Sequence, residues 1–168
     1  MEEEKKITLY EADIYERQEP KEETRQFIIF RISSEWYALE IIKVRGITKI
    51  DKITYLPSAP GYISGIVNLR GNILSVTDLK TIFGLAQEEL TEKSRLIVIE
   101  FGPLETGLLV DEVACVADVA VTRIDPTLTT LPPEKAGYIE GEFKLEDRLV
   151  GILKVEKILA KIEPQVAG

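Results

Sequence analysis

Hydrophobic and polar positions along this chain change over short distances, which is the mark of brief strands rather than long helices. Arg25 to Ser33, RQFIIFRIS, is a run of Ile and Phe that predicts a strand. Ser33-Ser34-Glu35 follows as a turn, and Trp36 to Ile41, WYALEI, as the return strand. Ile42 to Ile50 continues extended, with Gly46 as a bend or bulge. Leu56-Pro57-Ser58-Ala59-Pro60 reads as a loop, because each proline restricts the residue before it. Ile66 to Arg70 and Ile73 to Thr77 form a hairpin about Gly71-Asn72. A short helix from Leu79 to Phe83 comes next, capped by Thr77 or Asp78 and stopped by Gly84.

After a polar connector, Ala86 to Ser94, the same order returns. Arg95 to Phe101 matches the first strand, Leu108 to Val110 the second, and Val113 to Val121 the third extended stretch. A second hairpin and a terminal helix, Val155 to Ile162, close the chain, with Pro164 as the helix stop. The repetition is clearest between Gly61–Gly84 and Gly137–Leu159, which align without a gap. Gly61, Tyr62, Ile63, Gly65, Leu69 and Ile82 fall on Gly137, Tyr138, Ile139, Gly141, Leu145 and Ile158. Two copies of one unit are implied, over about residues 25–85 and 95–160, too small to be comfortable alone and expected to share a core. The fold class expected from these elements is all-β with short helices, a barrel or sandwich.

Within the first hairpin, Gly65 frees the backbone to turn. A loop at Gly71-Asn72 sets Leu69 against Leu74 and Val67 against Val76 on the core face. It leaves Ile66, Asn68, Arg70 and Ile73 on the other face. The second copy keeps the core positions but has Lys144 for Asn68 and Glu146 for Arg70. Folding therefore does not demand Asn or Arg there. Arg70 is either a solvated strand charge or, beside exposed Ile66 and Ile73, the centre of a binding hot spot; the comparison of the copies favours the second.

Composition narrows the function. A net charge of -8 disfavours nucleic acid and anionic membrane as partners. The absence of histidine removes the commonest general base and much metal ligation. Cys115, in VACVADV, is expected to be a buried, inert thiol. One cysteine and no export signal point to the cytoplasm, and no apolar run is long enough to span a membrane. Residues 1–24 hold nine acids and four bases and are expected to be a flexible acidic tail, or a short docking helix through Ile7, Tyr10 and Ile14. Residues 163–168 form a C-terminal tail. No phosphate-binding glycine loop, nucleophile elbow or cofactor motif occurs, and the adjacent acids Asp111 and Glu112 would point to opposite faces of a strand. A binding module is the expected class, with no catalytic, cofactor or metal residues. A small β-barrel enzyme or ligand-binding protein is the contrasting class.

With these residues in place, the chain resembles the CheW-type coupling proteins of bacterial chemotaxis, from about Arg25 to Leu159. The core of the likeness is Gly65-Ile66-Val67-Asn68-Leu69-Arg70-Gly71 followed by Ile73-Leu74-Ser75-Val76-Thr77-Asp78-Leu79. Phe27–Phe30, Tyr37–Val44, Leu109–Val113 and Leu149–Leu159 support it. The resemblance implies two five-stranded barrels of the Src-homology-3 type packed together, without enzymatic activity. It implies a scaffold bridging a CheA-type histidine kinase, through that kinase's CheW-like regulatory domain, to the cytoplasmic tip of chemoreceptors. It places Arg70 and Val44 at the partner-binding region, to which the hairpin reading adds Ile66, Asn68 and Ile73. Members of this type also serve non-flagellar arrays of pilus or developmental kind. Two positions depart from the pattern: Gly46 where Glu is usual, an acid that pairs with the signature Arg, and Lys154 where Asp is common.

Overall fold

Ten short strands fill the chain, and their order in space is not their order in sequence. The computed structural model describes residues 22–126 and 131–167. The acidic tail expected for residues 1–24, with Ile7, Tyr10 and Ile14, lies almost wholly outside the described residues. Thr24 already belongs to the first strand, and the Glu23 carbonyl accepts from the Val121 amide at 2.9 Å. The elements are β1 (Thr24–Ile32), β2 (Glu35–Glu40), β3 (Val44–Lys49), β4 (Ile63–Leu69), β5 (Asn72–Asp78) and α1 (Leu79–Phe83). They continue as β6 (Arg95–Phe101), β7 (Leu104–Val110), β8 (Glu112–Ala120), α2 (Pro133–Ala136), β9 (Ile139–Leu145), β10 (Arg148–Leu153) and α3 (Val155–Ala167).

Two five-stranded sheets result, each a Src-homology-3-type barrel. The first has the order β8-β1-β2-β10-β9 and the second β3-β6-β7-β5-β4. Each barrel therefore takes two strands from one sequence repeat and three from the other. The connector Ala86–Ser94 joins the repeats along the sequence, yet it does not divide the barrels. The exchange is closed by short parallel pairings, β10 beside β2 and β5 beside β7.

The barrels share a core. One buried cluster takes Ile28, Phe30 and Leu39 from the first barrel, Ile97, Leu108 and Leu79 from the second, and Ile158, Leu159 and Ile162 from α3. A smaller cluster fills each barrel: Phe27, Ile29, Val119, Phe143 and Val150 in one, Val67, Leu74, Val76, Leu96 and Val98 in the other. Burial of this apolar surface is the dominant favourable term.

Several local expectations change. Ile41–Lys43 is a 3-10 turn before β3, and a bulge at Arg45 shifts the register between Val44 and Gly46. Gly65 does not turn the chain; it sits inside β4, where a Cβ would lie 2.2 Å from the Thr54 carbonyl oxygen. There the Thr54 and Ile66 backbones exchange two hydrogen bonds, at 2.8 and 2.9 Å. The hairpin loop is Arg70-Gly71, not Gly71-Asn72, because Leu69 pairs with Asn72 and Val67 with Leu74. Both loop residues take positive φ, 53° and 89°, as a twisted two-residue hairpin demands. The core face survives the slip, with Val67, Leu74 and Val76 all buried. The terminal helix does not stop before Pro164 but runs through it to Ala167. Asp78 is the cap of α1, its carboxylate accepting from the Lys80 amide at 2.9 Å, and Gly84 ends that helix at φ 71°.

Candidate functional site

The β4–β5 hairpin carries most of the residues singled out in the sequence. Asn68 and Ile73 are cross-strand partners, and Ile66 faces Ser75 on the same outer surface. Ile73 is 59 % exposed, although it sits in a strand. With Ile66, Leu56, Ala59 and Ile63 it lines a shallow hollow of about 350 Å³. Arg70 is not on the strand face as the sequence suggested. It occupies the first position of the turn, so its exposed side chain leaves from the tip of the hairpin. Asn68 supports that turn: its side-chain carbonyl accepts from the Gly71 amide at 2.8 Å.

The tip of the hairpin and β3 border a groove of about 750 Å³, lined by Arg45, Gly46, Lys49, Asn68, Arg70 and Leu74 among others. Its floor is partly apolar, from Leu69, Leu74 and Val98, and its rim carries three cations. Arg45 is paired with Glu105 at 2.6 Å. Among the described residues, no hydrogen bond or ion pair engages the Arg70 guanidinium. An unpaired guanidinium keeps its five donors for a carboxylate or a carbonyl of a partner. Gly46 lines the same groove, and a Cβ there would meet nothing within 4 Å. A Cβ at that position therefore meets open space.

Val44 stands apart from this group. It is half-buried on β3 and packs against the shared core. The β3 residues Arg45, Ile47 and Lys49 were not singled out in the sequence, although they line the groove and Ile47 is 42 % exposed. Their alternation is the signal that could have found them: on β3 the even-numbered residues turn inward and the odd-numbered ones outward.

Cys115 is exposed on β8, contrary to the buried thiol expected from its apolar neighbours. Val116 beside it is 53 % exposed as well, because the edge strand β8 is open on both faces over Ala114–Val116. Among the described residues, no group of three His, Cys, Asp or Glu is placed to hold a metal ion. No helix among them is long and apolar enough to cross a membrane. The strongest shifts of ionisation belong to structural positions. Burial, then a hydrogen bond to Glu35, raises the Tyr37 hydroxyl far above its ordinary value. Hydrogen bonds to Glu40 and Glu140 raise Arg25 further.

Comparison with known proteins agrees with this architecture. A family model described as a CheW-like domain matches residues 26–163. The chemotaxis protein CheW of Helicobacter pylori is 36 % identical over 151 residues, 90 % of this chain and 91 % of the relative. That of Bacillus subtilis is 32 % identical over 142 residues, 84 % of this chain and 91 % of the relative. The crystal structure of the scaffolding protein TtCheW from Thermoanaerobacter tengcongensis superposes with a TM-score of 0.72 at 33 % identity, covering 82 % of this chain and 87 % of that one. Matched along nearly its whole described length in sequence and in fold, this chain belongs to the CheW-like family.

Proposed function

We propose that this chain is a non-catalytic cytoplasmic scaffold of chemotaxis signalling. It couples chemoreceptors, by their cytoplasmic tips, to the CheW-like regulatory domain of a CheA-type histidine kinase. The observation that carries the reading is Arg70, without a partner among the described residues, at the tip of the β4–β5 hairpin between a half-apolar groove and the exposed Ile73. An arginine ringed by aliphatic surface is a common centre of protein–protein binding energy. Ile66, Asn68 and Ile73 extend that surface along the hairpin, whereas Val44 packs toward the shared core. The second repeat has Lys144 and Glu146 at the equivalent places, so the reading assigns this surface to the second barrel alone.

The test is reconstitution. A receptor cytoplasmic fragment and the kinase are mixed with and without the chain, and the pelleted complex and kinase turnover are measured. The reading requires that receptor control of the kinase appears only when the chain is present. Turnover of any substrate by the chain alone, or receptor control that is indifferent to it, would overturn the reading.

A further inference from the structure

The exchange of strands between the barrels raises a question of selection. The repeats are similar enough for each half to close on itself, with β1 beside β3 instead of β8, and β5 beside β2 instead of β7. The registers define the equivalent positions. Phe30 faces Val113 where Ile99 faces Val44, and Gln26 faces Asp118 where Arg95 faces Lys49. On this alignment Arg31 corresponds to Glu100, and Glu112 to Lys43.

The charges at these places have opposite signs in the two halves. In the observed fold Arg31 meets Glu112 at 3.2 Å, and Lys43 meets Glu156 at 3.0 Å. Lys80 on α1 meets Asp111, just past β7, at 2.9 Å. Each of these pairs joins the first half of the sequence to the second. In the self-closed arrangement none of the three would survive, and two would turn repulsive. Arg31 would face Lys43, and Glu100 would face Glu112. Glu156, following β10, would come to Glu112 beyond β7, the counterpart of Lys43, while Lys80, following β5, would come to Ile42 beyond β2, the counterpart of Asp111, and lose its carboxylate.

We propose that this sign pattern selects the exchanged topology, making each half of the chain the electrostatic partner of the other and rejecting self-closure. Apolar burial discriminates through the sizes of side chains, as Phe27 against Leu96 or Phe143 against Val67, since the repeat keeps most apolar positions. Charge discriminates by sign, because specificity is a difference between states and like charges count against the unwanted one. A cross-strand pair that changes from like to opposite sign moves the balance at each site, and the sites act together.

The experiment uses the full chain with Cys115→Ala, refolded from denaturant under oxidising conditions. Gln26→Cys with Asp118→Cys reports pairing of β1 with β8, and Gln26→Cys with Lys49→Cys reports pairing of β1 with β3. Disulfides are quantified by peptide mass spectrometry on the monomer fraction. The deciding variant is Arg31→Glu/Glu112→Arg. It keeps an attractive, sign-inverted pair in the exchanged fold while making both self-closed cross-strand pairs attractive. The β1–β3 crosslink should rise at least tenfold over the chain with native charges. A second variant, Lys43→Glu/Glu112→Lys, has the native composition but opposes the exchanged fold, and should raise that crosslink further and lower the melting temperature. No increase in the first variant overturns the proposal, even if the second is destabilised, because the pairs would then stabilise without selecting.

Discussion

Asp111 links the two barrels, and its removal tests the packing directly. One carboxylate oxygen accepts from Lys80 Nζ at 2.9 Å, tying down α1 of the second barrel. The other accepts from the Ser33 amide at 2.7 Å, in the β1–β2 turn of the first. The side chains of Lys80 and Asp111 are only 7 % and 12 % exposed. Removing one member of so buried a pair strands the other, at a cost of about 3–5 kcal/mol. Glu88, 3.8 Å from Lys80 but 59 % exposed, offers a weak substitute, so Asp111→Ala belongs at the low end, about 3 kcal/mol. For a chain of this size that lowers the melting temperature by about 6–12 °C. Lys80→Met/Asp111→Leu leaves no uncompensated charge and should lose less than Asp111→Ala alone, although the Ser33 amide remains unpaired. Thermal and urea melts of Lys80→Met, Asp111→Leu and the double variant, followed by circular dichroism, complete the double-mutant cycle. A loss below about 1 kcal/mol for Asp111→Ala would show that the pair is solvated and contributes as an exposed one does.

Gly65→Ala should cost more than about 3 kcal/mol, since its Cβ meets the Thr54 backbone, whereas Gly46→Ala should stay within about 0.5 kcal/mol; equilibrium urea melts distinguish the two. Glu156 is held below its ordinary carboxylate range by its own backbone amide first and then by Lys43. A depressed folded value means stability present above the unfolded carboxylate range and lost as pH falls through the folded one. Glu156→Gln should therefore destabilise at pH 7 and lose that effect toward pH 3, and an unchanged difference at both pH values would contradict the assignment. Cys115, exposed on β8, should react with a thiol reagent in the native protein as fast as in the unfolded one; protection until unfolding would contradict its placement.

Much of the strand order and both hairpins were legible in the sequence, because short apolar runs bounded by Gly and Pro leave few alternatives. The capped helix α1 was legible for the same reason: Asp78 and Gly84 each have one local job. The loop of the first hairpin was misplaced by one residue, since Gly71-Asn72 looks like a turn pair while Arg70 takes a positive φ that arginine seldom adopts. The slip moved Arg70 from a strand face to the tip but left the apolar face intact. Gly65 was misread because the reason for it, the Thr54 carbonyl, comes from a loop brought in by the fold. Cys115 was misread because apolar neighbours say nothing about whether an edge strand is covered. The exchange between barrels was not visible in apolar periodicity, which the two halves share; it shows in the strand order of the two sheets. Of the candidate site, four residues gather on the hairpin and its tip, and Val44 does not join them, because it packs toward the core.

The central claim is that Arg70 contributes to binding and not to folding. It has no partner among the described residues, and the second repeat folds with Glu146 in its place, also at positive φ, 59°. Truncating an interface arginine of this kind costs about 2 kcal/mol or more, roughly thirtyfold in affinity. The most direct measurement is therefore paired: the melting temperature of Arg70→Ala, and its recruitment into a complex with receptor fragment and kinase. The account predicts a melting temperature within a few degrees of the parent and at least a tenfold loss of recruitment. Early melting would make Arg70 a structural residue, and normal melting with normal recruitment would remove it from the site.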